Sequence, residues 1–559
     1  MATLHNLKIK NFRGILNFEQ TFKQGLTCII GRGDSGKSTI IDAIACVLSS
    51  SWSINFYDSD FCNCQIENPI EIEATLKNIP DKLLTKFGMY VRGIKDDGTI
   101  IDDMESDAAH DAELAISIRL TVTKELEPTW EVVSYRGQEP VNISASYRAK
   151  LKAFTISDYS DRHFSLNKGN PLYTLLKGLE NEIDNEENTI LEMLREAKGN
   201  IDSVISSKFE SVIKKVKEES SNLGVPTNDL LATIDHRDIS IKENKVCLHE
   251  ENIPLRLKGK GSKRIISLAI QIAVANPNGI ILIDEIEQGL EPDRVQHLVS
   301  ILKAYTNFQI FFTTHSSNVI VELAASDLFI MREDETKFLP VPEELQGCIR
   351  KNPEALFAKK IIVCEGATEV GMCRALNAYM QSVGKKSLTY CGVRLADGAG
   401  SNMIQYAEDF KALGFDVCLF CDSDVSEIND KKNQLNDIKV IDCQDGYAIE
   451  QQLFADLSWD SVVKMVDYRR EFDGIENQAI FDSIYSVSTT KPAYTENWYT
   501  NESDDVRTQF GNKAKDKDWY KRIDHGEKIG EIVFDEFNVL GDDKKIKLIF
   551  QKLIEWVEK

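Results

Sequence analysis

Long apolar runs are missing from this 559-residue chain. No stretch of about 18 uncharged apolar residues occurs, so no membrane span is expected. Met1 to Asn11 alternates charged and apolar residues and lacks the apolar block of a signal peptide. Positive charge is also short. A net charge of −23 excludes a uniformly basic nucleic-acid binder, though a local basic groove stays open. A metal-binding arrangement of cysteine pairs is missing as well. The twelve cysteines are scattered, and Cys28, Cys46, Cys364 and Cys418 lie in apolar runs, as small buried residues do in a reducing cytoplasm. Cys62-Asn63-Cys64 has no matching second pair, so zinc is not supported there. A cytoplasmic location is therefore expected. The chain is too long for one core, and three or four domains are expected.

What is present first is Gly31-Arg32-Gly33-Asp34-Ser35-Gly36-Lys37-Ser38-Thr39. It fits the phosphate-loop pattern G-x-x-x-x-G-K-[ST]. Leu26 to Ile30 predicts the strand before it. Ser38 to Leu48, with Ile40, Ile41, Ile44 and Val47, predicts the helix after it. Glycines let backbone N–H groups curl round phosphate oxygens, and the helix N-terminus adds positive potential. Lys37 is expected on the β- and γ-phosphates of ATP, and Ser38 on Mg²⁺.

Leu4 to Phe12 reads as an opening strand, with Phe18 to Phe22 as its hairpin partner. Ile70–Leu76, Ile116–Val122 and Trp130–Val133 read as further strands, and Asp102–Asp111 as a solvated loop. From Pro171 to about Gly224, Leu172, Leu176, Leu179, Ile183, Ile190, Leu194, Ile201, Ile205, Val212 and Val216 fall mostly three, four or seven apart. This is an amphipathic helical hairpin or coiled-coil arm, with Gly199-Asn200 as a break, or equally a helix pair packed on its domain. Ile239 to Val246 reads as a strand. Lys258 to Arg264 then opens an apolar helix, Ile265 to Ala275. Ile280 to Ile283 is a buried strand ending in Asp284-Glu285. Gly289 to Asp293 follows, and Gln309 to Thr314 is a strand ending at His315. Asp284 can orient a Mg²⁺ shell, Glu285 can polarise a water, and His315 can sense a γ-phosphate; only their order together makes them a strong set.

A second pattern begins near Phe357. Lys360 to Cys364 is a strand ending in Glu365, and Thr368 to Met380 a helix. Asp397 to Asn402 is a glycine turn, and Val417 to Cys421 a strand ending in Asp422-Ser423-Asp424. Alternation of strands and helices predicts a mainly parallel sheet. Glu369 lies one helical turn after Glu365, and Asp422 and Asp424 share one side of a strand end. In a parallel sheet both strand ends open on one edge. Acids converging there are costly without hard divalent cations, and two such ions would serve phosphodiester hydrolysis. Either pair alone reads equally well as surface acids. The stretch from Tyr494 to Lys517 reads as a polar loop, and Lys544 to Val557 as an amphipathic helix.

The first set resembles ABC-type ATPases of the branch containing the chromosome-maintenance and recombination enzymes. In that family Asn11-Phe12-Arg13 matches the strand whose Arg approaches the nucleotide. Gly31 to Ser38 matches Walker A, and Asp284 and Glu285 match Walker B. Gly289 to Asp293 matches the D-loop, and His315 the switch histidine. Gly259 to Arg264 resembles the signature motif, with Gly261 and Ser262 toward nucleotide. Here Lys260-Gly261-Ser262-Lys263 replaces the usual Ser-Gly-Gly-Gln character. The resemblance implies a dimer of ATPase heads.

The second set resembles a Toprim domain. Val363-Cys364-Glu365-Gly366-Ala367-Thr368-Glu369 is close to the form found in the OLD (overcoming lysogenization defect) family, which joins an N-terminal ABC ATPase to a C-terminal Toprim nuclease. The resemblance spans nearly the whole chain. It implies an α/β chain with the ATPase domain split over 1–168 and 225–345. A helical dimerisation insertion over 169–224 and a Toprim domain with helical extension over 355–559 complete it. It implies ATP, two Mg²⁺ or Mn²⁺ ions, DNA as partner, and cleavage or nicking in anti-phage defence. Glu365, Glu369, Asp422 and Asp424 would be metal ligands, Glu450 a further acid, and Lys521, with Lys528 behind it, the charge-balancing lysine. Lys513 to Lys517 and Lys521-Arg522 could track a DNA backbone or form a solvated loop. A neighbouring-gene product or nucleic acid is a further possible partner. The non-enzymatic alternative is an ATP-driven DNA clamp or scaffold. A topoisomerase would need a nucleophilic tyrosine domain, and none is recognisable.

Overall fold

Alternating apolar residues build the opening hairpin. β1 (Thr3–Phe12) and β2 (Ile15–Thr21) pair antiparallel with Ile9 opposite Phe18. The computed structural model describes residues 2–102, 112–156, 163–164, 171–172, 175, 201–234, 246–275, 278–333, 335–486, 491–499 and 502–559. The chain divides into two units, Met1–Val341 and Pro342–Lys559.

In the first unit β3 (Gly25–Ile30) leads to α1 (Lys37–Val47). β4 (Ile70–Lys77), β5 (Glu113–Val122) and β6 (Pro128–Val133) extend the opening hairpin into an antiparallel sheet in the order β2-β1-β4-β5-β6. A second sheet is parallel at its centre. It takes β7 (Ala153–Ile156), β8 (Ile280–Ile283), β9 (Gln309–Thr313) and β10 (Leu328–Ile330) in the order β7-β8-β9-β3-β10. Every residue of β8 and β9 is buried, as expected where both faces of a parallel sheet are covered. Ile40, Ile41, Ile44 and Val47 of α1 are fully buried in the core, with Ile280, Leu282 and Phe311 of this sheet and Ile9 and Ile72 of the other. Each such side chain contributes roughly 1.5–3 kcal/mol. α2 (Ile201–Asn222) packs on α3 (Lys260–Ala275) through Phe209, Val212, Val216, Ile266 and Ile270. Residues 176–200, which hold much of the expected hairpin and its break, lie outside the described residues, as do 103–111 and 235–245. At the C-terminal edge of 235–245 the strand Val246–Glu250 begins.

The second unit runs β11 (Lys360–Cys364), α4 (Ala367–Ser382), β12 (Val393–Asp397), α5 (Met403–Ala412), β13 (Asp416–Cys421), α6 (Ser426–Lys432) and β14 (Lys439–Asp442). The four strands form one parallel sheet, β12-β11-β13-β14. β11 and β13 are therefore neighbours, and the residues that follow them share an edge. α7 (Ile449–Asp456), α8 (Trp459–Asp473), α9 (Asp504–Asp516), α10 (Ile523–Glu536) and α11 (Lys545–Glu558) complete the unit.

The segment expected to be a loop up to Lys517 holds a helix, α9. Val506, Phe510, Gly511 and Ala514 form a narrow buried face that packs on α7, and polar residues fill the rest. So thin a stripe is masked by the surrounding charge. α4 and α10 meet along glycines. A Cβ on Gly371 would stand 2.2 Å from Ile523 O, and one on Gly526 2.3 Å from Thr368 O. Thr368 Oγ1 also donates to Tyr520 O, 152 residues away, at 3.0 Å.

Candidate functional site

In the first unit the loop after β3 wraps toward α1. Gly31 (φ 154°) and Gly36 (φ 92°) take backbone that favours glycine, and Asp34 is also left-handed at φ 62°. A Cβ on Gly31 would meet Met331 O at 2.4 Å and Ser35 Oγ at 2.8 Å, whereas Gly33 is open. Ser35 Oγ and Lys37 Nζ both donate to Arg32 O, at 2.9 and 2.6 Å. Burial pulls the Lys37 ammonium below its usual range, against Asp284, Glu285, Asp34 and Glu287, whose charges favour it. Lys37 opens the first turn of α1, with Ser38 and Thr39 behind it. Ser38 Oγ reaches Asp284 Oδ1 at 3.0 Å, and Thr313 Oγ1 donates to the same oxygen at 2.5 Å. Thr313 Oγ1 in turn accepts from Glu285 N at 2.7 Å. Adjacent β8 and β9 supply this bracket, since Ile283 lies opposite Phe312.

Glu285 is exposed with φ 48°, and Asn11 and Arg13 are left-handed at 55° and 49°. Such conformations in residues other than glycine gather where surrounding structure imposes them. Arg13 Nε binds Asp60 Oδ1 at 2.9 Å, and its Nη1 pairs with Asp42. His315 is exposed, and its backbone N–H donates to Glu287 Oε1 at 2.6 Å. Thr314 Oγ1 donates to the other oxygen of Glu287 at 2.7 Å. Gly261 and Ser262 lie in the first turn of α3, where a Cβ on Gly261 would be 2.2 Å from Gly289 O. Arg264 of that helix bonds Asp284 O and Gln288.

In the second unit five acids gather at the edge where β11 and β13 end. Glu365 Oε2 accepts from Asp422 N at 2.9 Å, tying the two strand ends together. Glu369 Oε2 caps its own helix through Gly366 N at 2.9 Å. Glu365 follows the strand end and Glu369 lies in the first turn of α4, and the charge of Glu365 acts on Glu369. Asp422 Oδ1 accepts from Ile449 N at 2.7 Å, at the start of the helix that carries Glu450. Burial, then repulsion from Glu450, pushes Glu369 up to about 8. Burial, then Glu369 and Glu365, pushes Asp422 up to about 9. Burial raises Glu450 to about 7, and it also raises Glu365. Glu450 is 1% exposed and its Oε1 has no hydrogen-bond partner. Asp424 pairs with Lys515 at 2.8 Å. Lys521 pairs with Asp518 at 2.8 Å, and its charge acts on Glu450, Asp422 and Glu365. Among the described residues, no three His, Cys, Asp or Glu side chains form a ready-made metal cage.

The family described as "AAA domain, putative AbiEii toxin, Type IV TA system" matches residues 26–322. The chain belongs to this ATPase family. The family described as "Overcoming lysogenization defect protein-like, TOPRIM domain" matches residues 356–424, so an OLD-like TOPRIM domain follows the ATPase domain. Two curated relatives are similar. "Retron Ec83 probable ATPase" of Escherichia coli is 23% identical over 416 residues, 62% of this chain and 74% of the relative. "Retron Vc95 probable ATPase" of Vibrio cholerae serotype O1 biovar El Tor is 23% identical over 390 residues, 60% and 74%. Among solved structures, "SMC head domain from Thermotoga maritima" is 14% identical with TM-score 0.30, covering 61% of this chain and 99% of that one. The Smc head domain with an extended coiled coil bound to the C-terminal domain of ScpA, derived from Pyrococcus furiosus, is 15% identical with TM-score 0.38, covering 61% and 96%.

The TOPRIM edge thus brings Glu365, Glu369, Asp422, Asp424 and Glu450 into one electrostatic group, with Lys521 at its margin. Lys528 stands apart from these acids, paired with Glu531 at 2.8 Å. Sequence reasoning missed Thr313, Glu287 and Lys432, and reached Lys515 only as part of the Lys513 to Lys517 run. A threonine ending a strand and lysines on charged helices carry no motif. Glu287, two residues after Glu285 in the same turn, was the most discoverable.

Proposed function

We propose that this protein is an ATP-regulated, divalent-cation-dependent DNA endonuclease or nickase of the OLD type. The observation that carries the proposal is the TOPRIM edge, where buried carboxylates raise one another's proton affinity and one Glu450 oxygen has no partner. Such an arrangement is costly unless cations or protons offset it. Glu365, Glu369, Asp422, Asp424 and Glu450 would hold Mg²⁺ or Mn²⁺. Cations bound there would supply charge neutralisation and Lewis acidity toward a phosphodiester. Asp422, hydrogen-bonded by Ile449 N, and Glu365, hydrogen-bonded by Asp422 N, are oriented before any ligand arrives. Lys521 presents a cation at the margin for the backbone of DNA.

In the ATPase domain the Gly31 to Gly36 loop, left-handed at Asp34 and Gly36, runs straight into the N-terminus of α1, an arrangement that fits a phosphate cradle. Lys37 would bind phosphate oxygens, Ser38 and Asp284 would hold Mg²⁺, and Glu285 and His315 would orient water and sense the γ-phosphate. Arg13, Gly261 and Ser262 would complete nucleotide contacts between two heads of a homodimer. The relatives' naming as retron ATPases supports a role beside such an element, with its nucleic acid or protein as partner. The OLD-like TOPRIM domain supports anti-phage defence.

Supercoiled plasmid incubated with Mg²⁺ or Mn²⁺ tests the reading. Nicking or linearisation by wild type is expected, with loss in Asp422→Ala and Glu365→Ala. Lys37→Ala is expected to abolish the response of cleavage to ATP. Absence of cleavage with either cation, with and without ATP or a partner, would instead support an ATP-driven DNA clamp or scaffold.

A further inference from the structure

The turn Asp422-Ser423-Asp424 is gripped from behind by a residue that no motif marks. Lys432 ends α6, and its side chain is only 2% exposed. An ammonium has three N–H donors and no acceptor. Three acceptors surround this one: Asp422 O at 2.6 Å, Ser423 Oγ at 3.1 Å and Asp442 Oδ2 at 3.3 Å. Burying a lysine without such partners is costly, so the contacts are a condition of its being there. The side chain therefore bridges the end of β13 to the end of β14.

Neighbouring bonds show what the bridge fixes. Ser423 N donates to Tyr447 O at 3.0 Å, and Gly446 N donates to Ser423 O at 2.8 Å. Asn429 Nδ2 donates to Ser423 O at 2.9 Å. The peptide joining Asp422 to Ser423 is thus held at its carbonyl by Lys432 and at its N–H by Tyr447. Rotation of that peptide would swing the carboxylates on either side of it. Lys515 and Lys521, by contrast, approach from the exposed side and are paired with Asp424 and Asp518.

We propose that Lys432 is a positioning residue for the TOPRIM acids. It fixes the turn that aims Asp422 and Asp424, so that a divalent cation is taken without rearrangement. The inference rests on reading these acids as a cation site. It differs from a structural role in predicting a change in cation affinity in protein that remains folded.

Nucleotide-free full-length protein is titrated with Mn²⁺, and free Mn²⁺ is read by electron paramagnetic resonance. Asp422→Asn defines the background. Lys432→Met is expected to weaken the Asp422-dependent binding at least about tenfold, the scale for losing a residue that orients a metal ligand. Lys432→Arg, which keeps the charge, is expected to recover part of the loss. ATP hydrolysis is expected to be unchanged in both. A wild-type Mn²⁺ affinity in Lys432→Met overturns the inference. Should that variant not fold, Lys432→Gln replaces it in the same titration. Failure of both to fold makes the lysine structural only and also overturns it. Wild type that binds Mn²⁺ through Asp422 but cleaves no DNA removes the nuclease reading and leaves this inference standing.

Discussion

Loading the TOPRIM acids with a divalent cation should release protons, and the number follows from the structure. Asp422, Glu369 and Glu450 are raised to about 9, about 8 and about 7. At pH 7.5 these groups together hold about two protons, although the steps belong to the set rather than to single residues. A cation that needs the ionised carboxylates must displace them. Isothermal titration calorimetry with Mn²⁺ in two buffers of different ionisation enthalpy, without nucleotide, gives the count directly. About two protons released at pH 7.5 are expected, and affinity should rise roughly 100-fold per pH unit near neutrality. Stability of the cation-free protein should run the other way. All three folded values lie above the unfolded ones near 4. The folded state therefore binds more protons between about pH 4 and 9, and its stability falls as pH rises through that window. Saturating Mn²⁺ should flatten the slope. Release of less than about half a proton at pH 7.5, with an affinity flat from pH 6 to 8, would refute the reasoning.

Three other perturbations test separate parts of the structure. Gly371→Ala drives a Cβ to 2.2 Å from Ile523 O, so a loss of about 1–3 kcal/mol is expected, read as a lower Tm of the second unit. An unchanged Tm would show that the helices separate freely. Gly261→Ala meets Gly289 O at 2.2 Å and should lower ATP turnover while equilibrium ATP binding by Lys37 and Ser38 persists, checked by filter binding beside a phosphate-release assay. Lys515→Ala removes a part-exposed ion pair and should change stability by less than about 1 kcal/mol. It should nevertheless raise Mn²⁺ affinity, because Asp424 is released; weaker binding would contradict that.

The legible parts of this chain are those whose chemistry is contiguous. Gly31 to Thr39 carries its strand and helix beside it, and β8 announces itself as Ile280 to Ile283 running into two acids. Glu365, Asp422 and Asp424 were legible because they follow apolar strands, and a parallel sheet puts such ends together. What joins the pieces was not. The Ser38–Asp284–Thr313 bracket depends on β9 lying between β8 and β3, which is topology, not spacing. Lys515 sits in a stretch that reads as a charged loop, and Lys432 among charges that carry no motif; only packing shows Lys432 buried and Lys515 on Asp424. α9 was lost for the same reason, since Phe510 and Ala514 are too few to show a period amid so many polar residues.

The glycine contact between α4 and α10 sets a limit on how small a working fragment can be. Family similarity in the second unit stops at residue 424. Glu369, however, stands on a helix whose backbone touches the Ile523 and Glu527 backbone through Gly371, and whose Thr368 holds Tyr520. The core beneath it draws on Phe534, Phe550 and Trp556 as much as on Ile362 and Phe420. Cutting the chain after the aspartates would strip the acid edge of its floor and leave apolar helix faces in water. Residues 425–559 are thus a mechanical foundation, because they help to close the core of the domain that carries the acids. A minimal TOPRIM piece should include that floor, through Trp556, and not stop at the end of its motif.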